Sequence, residues 1–598
     1  MSDLRTQCKE IVVKALNLLI EEKSLDIPAI LPENIILETP PKPEMGDIGV
    51  PLFSFAKTLR MGPPQIAQNL LEKIAQFDNV SQVGTFCVEG PYLNVKLNKA
   101  AEAISVLKKI ADQKEFYGAF NQQNQKPLTG RKVMVEFSSP NTNKPLHLGH
   151  LRNDALGESV SRILKMAGAE VFKVNIINNR GVHICKSMLA YQKNHQAQGD
   201  TPESLGIKSD RFVGDCYVEF DKMNKADSSM EQEAQNLLVE WEKGNSEVHK
   251  LWKQMNDWAV QGITQTYKRT GVSFDKLYYE SETYLKGKEE ILKGLADGIF
   301  YKEEDGSVWV DLAEIKLDKK VLLRKDGTSL YMTQDVGTAI YRHGDWPFNQ
   351  LVYVVGSEQQ YHFKVLFYVL KKLGYEWADK LYHLSYGMVN LPEGKMKSRE
   401  GTVVDADDLI NQLRDGALEE ITAKGREEAV GNPAEVAENI ALGALHYFLL
   451  QTSPTKDMLF NPKESLSFNG NTGPYLQYMG ARISSILRKA TETGIEASYE
   501  DAALAELNQE AEWELIKTLA LFPTIVEKAA NDLDPSLIAN YVYDVSKGFS
   551  KFYHECPILA VSETNKNLAQ GRLALAKAVK IVLENALELI LVPFLETM

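Results

Sequence analysis

The chain is poor in the residues that staple small or secreted folds. It has 5 cysteines among 598 residues, at positions 8, 87, 185, 216 and 556, and none pair as Cys-x-x-Cys. This argues against a disulfide framework or a zinc ribbon, so no structural zinc is expected. No apolar run approaches the roughly 18 residues that cross a bilayer, so no membrane partner is expected. Met1–Gln7 lacks the apolar core of a secretory signal. Unpaired thiols suit a reducing compartment, and the expected location is cytoplasmic. Positive charge is also in deficit, with 67 Lys and Arg against 81 Asp and Glu, for a net charge of −14. That disfavours a protein that coats nucleic acid, although a local basic face is still allowed. Only 10 histidines are present, which makes a close pair of them worth reading.

What remains is an ordinary enzyme-like composition, 44% hydrophobic and 25% charged. The length is too great for one core and implies roughly three to five domains. Residues 1–115 read as an α+β module, with helical patterns at Leu4–Glu22 and Pro64–Phe77 and strand-like runs at Gln82–Glu89 and Tyr92–Leu97. A polar linker, 121–126, precedes a block in which strands and helices alternate, 128–405. Its strand candidates are Lys132–Phe137, Glu170–Asn175, Leu351–Val355 and Tyr382–Val389, which predicts an α/β, Rossmann-type parallel sheet. The charged stretch of about 190–290 shows little strand character and reads as a helical insertion. A connector, 406–434, leads to an all-α region, 435–598. Its helical patterns at Glu435–Leu450, Pro474–Thr491, Glu512–Asn531, Pro535–His554 and Leu568–Leu591 suggest a bundle.

Two segments carry chemistry. Asn141–His150 follows the first strand of the alternating block and runs into a helix starting near Leu151. In an open parallel sheet ligands bind beyond the carboxyl ends of strands. There, Gly149 would let the backbone approach a nucleotide closely, and His147 and His150 could donate to phosphate oxygens as charge develops. The helix would offer its positive end to an anion. Downstream, Lys395-Met-Lys-Ser-Arg399 follows the strand at Tyr382–Val389. Mobile cations at a strand end can clamp a transferring phosphate group.

These segments resemble the two signatures of class I aminoacyl-tRNA synthetases: His147-Leu-Gly-His150 matches the first, and Lys395-Met-Lys-Ser-Arg399 a variant of the second. The resemblance narrows to the arginyl-tRNA synthetases on Glu136-Phe-Ser-Ser-Pro-Asn141, Lys144–Arg152, Leu330-Tyr-Met-Thr-Gln-Asp-Val-Gly337 and Gly473-Pro-Tyr-Leu-Gln-Tyr478, and it covers nearly the whole chain. It implies ATP-dependent activation of L-arginine and transfer to the terminal adenosine of tRNA(Arg), with a first step that needs bound tRNA. ATP would enter with Mg²⁺, no protein metal site is implied, and the family is usually monomeric. The alternatives are another class I synthetase and a non-catalytic tRNA-binding paralogue.

By the same resemblance, His147, Gly149, His150, Lys395 and Met396 hold ATP, and His147, His150, Lys144, Lys395 and Ser398 belong to the catalytic set. Ser398 stands where the second signature usually has a lysine. Lys144 is the substitute cation. An arginine substrate needs carboxylates and neutral acceptors that match its planar fork of donors. Glu136, Asn141, Tyr331, Asp335 and Gln359 match the family's arginine positions, Ser139 is a sixth, and Asn94 is a candidate reaching in from the N-terminal module. Which carboxylate takes the guanidinium and which the α-amino group stays open at this stage. Tyr475, Tyr478 and Arg482 recur at helical spacing on one face of the bundle. They are the candidates for contact with anticodon bases, since aromatic rings and guanidinium planes stack on unpaired bases.

Overall fold

The computed structural model describes residues 2–78, 80–121, 124–390, 392 and 404–598. In the N-terminal module, helices Ser2–Glu22 and Pro63–Ile74 accompany a three-stranded antiparallel sheet. Its strands are β1 (Ile48–Pro51), β2 (Gly84–Glu89) and β3 (Tyr92–Leu97), in the order β1-β3-β2. Gly90, at φ +59, makes the tight turn between β2 and β3.

The alternating block forms one five-stranded parallel sheet. Its strands are β4 (Lys132–Glu136), β5 (Glu170–Ile177), β6 (Lys276–Tyr279), β7 (Gln350–Gly356) and β8 (Leu381–Tyr386). They lie in the order β8-β7-β4-β5-β6. β4 and β7 are buried along nearly their whole length, as apolar strands covered by helices on both faces should be. Helix Leu148–Met166 crosses from β4 to β5 and helix Gln360–Lys372 from β7 to β8. The chain therefore leaves β4 toward one edge of the sheet and later returns on its other side at β7. The crevice at that reversal, beyond the carboxyl ends of β4 and β7, is where a ligand belongs.

Three sequence expectations are refined. Lys276–Tyr279, inside the stretch expected to be helical, is the edge strand paired with β5. Its four residues are too few for a period of two to stand out among the helices before it, Ser209–Ala226, Ser229–Glu242 and Ser246–Thr270. Strands Tyr301–Lys302, Val308–Val310 and Lys320–Leu323 form a small antiparallel sheet that the sequence reading did not anticipate. The pattern Glu512–Asn531 is two helices, Glu510–Ala520 and Phe522–Asp532, because Pro523 supplies no amide and suits the first turn of a new helix.

The N-terminal module docks on the bundle. Trp513 is buried in the module's own core and its indole N–H donates to Asp47, 3.3 Å away. Asn585 Nδ2 donates to the carbonyls of Lys114 and Tyr117, at 2.8 and 3.1 Å.

Helix Tyr331–Asp345 packs against the turn at Gly287 so closely that a side chain fits on neither surface. A Cβ on Gly337 would lie 2.2 Å from Gly287 N, and one on Gly287 would lie 1.6 Å from Thr333 O. Because backbone rather than a flexible side chain is in the way, Gly337→Ala is expected to destabilise the protein by about 1–3 kcal/mol in urea unfolding. An unchanged unfolding midpoint would contradict that packing.

Candidate active site

β4 ends in a strained turn. Ser138 and Ser139 both have left-handed backbones, φ +74 and +50, which costs roughly 1–2 kcal/mol for each non-glycine residue. The turn is held from several sides. Ser138 N donates to Asn153 Oδ1 at 2.5 Å, Ser139 N donates to Asn175 Oδ1 at 3.0 Å, and the Ser138 and Tyr267 hydroxyls share a hydrogen bond of 2.5 Å. Asn153 also donates to the carbonyl of Val354 and to the Tyr386 hydroxyl, at 2.8 and 3.1 Å, so it links the turn to β7 and β8.

The chain then enters helix Leu148–Met166 through a cap built from two imidazoles. Gly149 N donates to His147 Nδ1, and His147 N donates to His150 Nδ1, both at 3.1 Å. The ring centroids are 3.9 Å apart. Each Nδ1 accepts a backbone proton and so carries none itself. A neutral ring then has its proton on Nε2, free to donate to a ligand. Burial lowers the His147 pKa to about 4, helped by the Lys144 charge. Burial also holds His150 well below its ordinary range, with His147 and Lys144 adding to the effect. A Cβ on Gly149 would press on the His147 ring, at 3.0 Å from Cε1, so this glycine serves the cap itself as well as facing a cavity.

Lys144 is half-buried beside this pair. Burial lowers its pKa, and among the described residues no carboxylate pairs with it. It is a cation awaiting an anion.

Two cavities meet at the histidines. The first, about 860 Å³, opens toward the insertion and includes Lys144, Arg180, Arg211, Tyr331, Asp335 and Glu280. The second, about 830 Å³, lies over the ends of β4 and β7 and includes Glu136, Ser139, His150, Asn153, Gln359 and Asn390. Asn141, His147, Asn178, Tyr331, Asp335 and Thr338 line both. The structure therefore brings together Glu136, Ser139, Asn141, Lys144, His147, Gly149, His150, Tyr331, Asp335 and Gln359. Tyr331 is 74% exposed, which leaves its ring open to a ligand. Lys395, Met396 and Ser398 lie outside the described residues. Asn94 lines neither cavity. It is buried in the middle of β3, where its amide donates to the Met45 carbonyl at 3.0 Å.

Three residues escaped the sequence reading. Arg342 lies on the cavity face of helix Tyr331–Asp345, in line with Tyr331, Asp335 and Thr338. It is buried and forms an ion pair with Glu136 Oε2. Glu136 is thus half-committed: its other oxygen, Oε1, lies 3.5 Å from the Ser139 hydroxyl. The spacing from Tyr331 to Arg342 was visible in the sequence, but an arginine facing an arginine site gave no reason to select it. His362 lies with Nε2 2.5 Å from Asp335 Oδ2. Glu280 follows β6, the strand hidden in the insertion. Burial raises its carboxyl pKa, with the Asp335 charge contributing in the same direction. Two carboxylates, Asp335 and Glu280, therefore line the first cavity, and Asp335 also lines the second with Glu136.

In the bundle, helix Gly473–Glu492 presents Tyr478 and Arg482 to a third cleft of about 800 Å³, with Arg426, Arg488, Lys489 and Tyr553 on its walls. The Arg482 guanidinium lies 4.2 Å from the Tyr553 ring centre. Tyr475 is not on this cleft. Its half-buried ring meets Tyr543 edge-on at 5.8 Å.

Comparison with known proteins agrees with this geometry. The family model described as tRNA synthetases class I (R), catalytic domain, matches residues 114–462. The arginyl tRNA synthetase N terminal domain matches 6–97, and the DALR anticodon binding domain matches 476–598. The arginine–tRNA ligase of Treponema denticola is 62% identical over 100% of both chains. That of Borrelia hermsii is 45% identical, also over 100% of both. Among solved structures, Thermus thermophilus arginyl-tRNA synthetase superposes with a TM-score of 0.77 at 25% identity, covering 99% of this chain and 100% of its own. A strand-end turn with a histidine-capped helix, a sheet flanked by these modules, and full-length likeness to such ligases lead to one conclusion: the chain belongs to the arginyl-tRNA synthetase family of class I aminoacyl-tRNA synthetases.

Proposed function

We propose that the protein is an arginine–tRNA ligase that forms arginyl-adenylate from L-arginine and ATP and passes the arginyl group to the terminal adenosine of tRNA(Arg). The observation that carries this reading is a cavity that His147 and Lys144 line together with Asp335 and Glu280, Lys144 having no ion-pair partner among the described residues.

Arginine would lie between them. Its guanidinium faces Asp335, Glu280 and the Tyr331 hydroxyl, which supply acceptors for its fork of donors. Its α-amino group faces the Glu136–Ser139 end, where Arg342 holds Glu136 in place. Its carboxylate then attacks the α-phosphate of ATP in line, releasing pyrophosphate. His147 and His150 donate to the phosphate oxygens from fixed positions, which stabilises charge as it builds. Lys144 offsets charge that the second signature, with Ser398 in place of a lysine, supplies less well; Lys395 and Met396 would complete that side. Mg²⁺ would arrive with the nucleotide and neutralise its phosphates. Among the described residues no group of three or more His, Cys, Asp or Glu side chains is arranged to hold a metal ion.

The cleft at Tyr478, Arg482 and Tyr553 suits an unpaired base flanked by phosphates, since ring faces stack and Arg426, Arg488 and Lys489 supply local positive charge to an acidic chain. Tyr475 supports that face through Tyr543. For the modules we take 1–115, 128–405, 406–434 and 435–598, in the order N-terminal module, catalytic domain, connector and anticodon-binding domain.

The direct test is arginine-dependent exchange of pyrophosphate into ATP, with and without tRNA. Exchange that depends on arginine supports the reading, and none under either condition overturns it. Asp335→Asn removes one charge from the guanidinium end. It is expected to raise the arginine KM by about 10- to 100-fold while leaving the ATP KM within about twofold, as the loss of a charged hydrogen bond implies. Parallel rises in both constants would misplace the guanidinium. Lys144→Met should slow exchange at saturating substrates by at least about tenfold, with tRNA affinity unchanged. A normal exchange rate would remove Lys144 from the phosphate side.

A further inference from the structure

Arg152 lies on the histidine-capped helix yet takes no part in the chemistry above. Its side chain is fully buried. Nη2 donates to the carbonyls of Pro454 and Lys456, both at 2.9 Å, and Nη1 lies 2.6 Å from Met458 Sδ. Among the described residues no carboxylate forms an ion pair with it, and burial lowers its pKa to about 10. Asp457 is close enough to act on it electrostatically but forms no ion pair with it; a buried cation so weakly compensated is an expensive way to fill space, and an apolar side chain of similar volume would be cheaper. What the guanidinium supplies is a fixed three-way grip.

The gripped segment forms the back of a wall of the second cavity. Gly387 N donates to Pro454 O at 2.9 Å, and Met388 N to Asp457 Oδ1 at 2.7 Å. Met458 N donates to Met388 O at 2.9 Å, and Phe460 N to Asn390 O at 2.8 Å. Strands Val389–Asn390 and Met458–Leu459 pair in parallel. Met388, Val389 and Asn390 face the cavity opposite His150 and Gly149. The same segment continues from helix Pro433–Leu450, on which helix Gly473–Glu492 packs so closely that a Cβ on Gly473 would lie 2.1 Å from Gly443 O. One guanidinium therefore ties the histidine helix to a segment shared by the bundle and the nucleotide wall.

We propose that Arg152 is a positioning residue for adenylate formation: through Pro454–Met458 it fixes the Met388–Asn390 wall relative to His147 and His150, and so sets the width of the nucleotide cavity. The proposal rests on the ligase reading above. It concerns the side of the second cavity that His147, Gly149 and His150 line, where the nucleotide is placed above; Glu280, on the guanidinium side, lines only the first cavity.

The test uses the full-length protein with Arg152→Met and Arg152→Lys, and with Asp457→Ala, an exposed position whose loss removes the acceptor for Met388 N and a carboxylate near Arg152. Arginine-dependent exchange is measured while ATP, arginine and tRNA are varied in turn. In Arg152→Met the ATP KM should rise by about tenfold or more, with the arginine KM and the tRNA Kd within about twofold of wild type. Arg152→Lys, which keeps the charge and part of the grip, should recover part of the loss. Asp457→Ala should shift the ATP KM in the same direction by less. A merely structural role would lower the amount of active enzyme and leave the ATP KM in place. An unchanged ATP KM in Arg152→Met, or in Asp457→Ala should Arg152→Met fail to fold, overturns the proposal, as does an equal rise in the arginine KM. Failure of the wild-type protein to show arginine-dependent exchange would instead overturn the ligase reading itself.

Discussion

The site depends on two hydrogen bonds in which backbone amides donate to imidazole nitrogens. A helix start leaves several amide protons without partners, and serine, threonine, aspartate or asparagine usually accepts one of them. Here His147 and His150 do so. The choice has a chemical consequence that an oxygen cap would lack. Accepting at Nδ1 fixes the tautomer and aims an N–H at the crevice from each ring. The cap that starts the helix and the donor pair offered to the phosphates are one structure, and a side chain at Gly149 would press on the His147 ring.

Around that pair, cations and carboxylates line one cavity. Lys144 lies near the rings with no ion-pair partner among the described residues, and burial lowers its pKa. Asp335 and Glu280 line the same cavity, and burial raises the pKa of Glu280. A charge partly withdrawn from water is costly alone and is favoured when the complementary group of a substrate arrives. An arginine with its carboxylate toward the imidazoles and its guanidinium toward the carboxylates satisfies both ends at once. Arg342 belongs to the same scheme, since it occupies one oxygen of Glu136 and leaves the other beside Ser139.

Much of this was legible in the sequence, for identifiable reasons. The mostly apolar runs at Lys132–Phe137 and Leu351–Val355 are short and alternate with helical patterns, so the parallel sheet could be read from them. Histidine is scarce, so His147 and His150 stood out. Tyr331 and Asp335 repeat at helical spacing and proved to share a cavity face. What stayed hidden depends on chain packing. β6 is four residues long and lies behind a run of helices, so Glu280 at its end could not be seen as a partner of Asp335. Asn94 occupied a plausible motif position, but its amide is spent inside the N-terminal sheet. Tyr475 shares a helical face with Tyr478 in projection, yet the neighbouring helix covers its ring with Tyr543.

The chemistry of the site turns on proton placement on two rings. Nitrogen-15 NMR of histidine-labelled protein, titrated from neutral pH downward and assigned with His147→Asn and His150→Asn, reads it directly. Both rings are expected to be neutral and protonated on Nε2 at neutral pH. The His147 pKa is lowered from the ordinary value of 6.5 to about 4, so that ring should stay uncharged until the pH falls toward that value. In that interval the unfolded chain binds a proton that the folded chain refuses, so folding stability should decline as the pH falls. Imidazolium rings at neutral pH, or protons on Nδ1, would contradict the capped, donor-presenting pair on which the site is built.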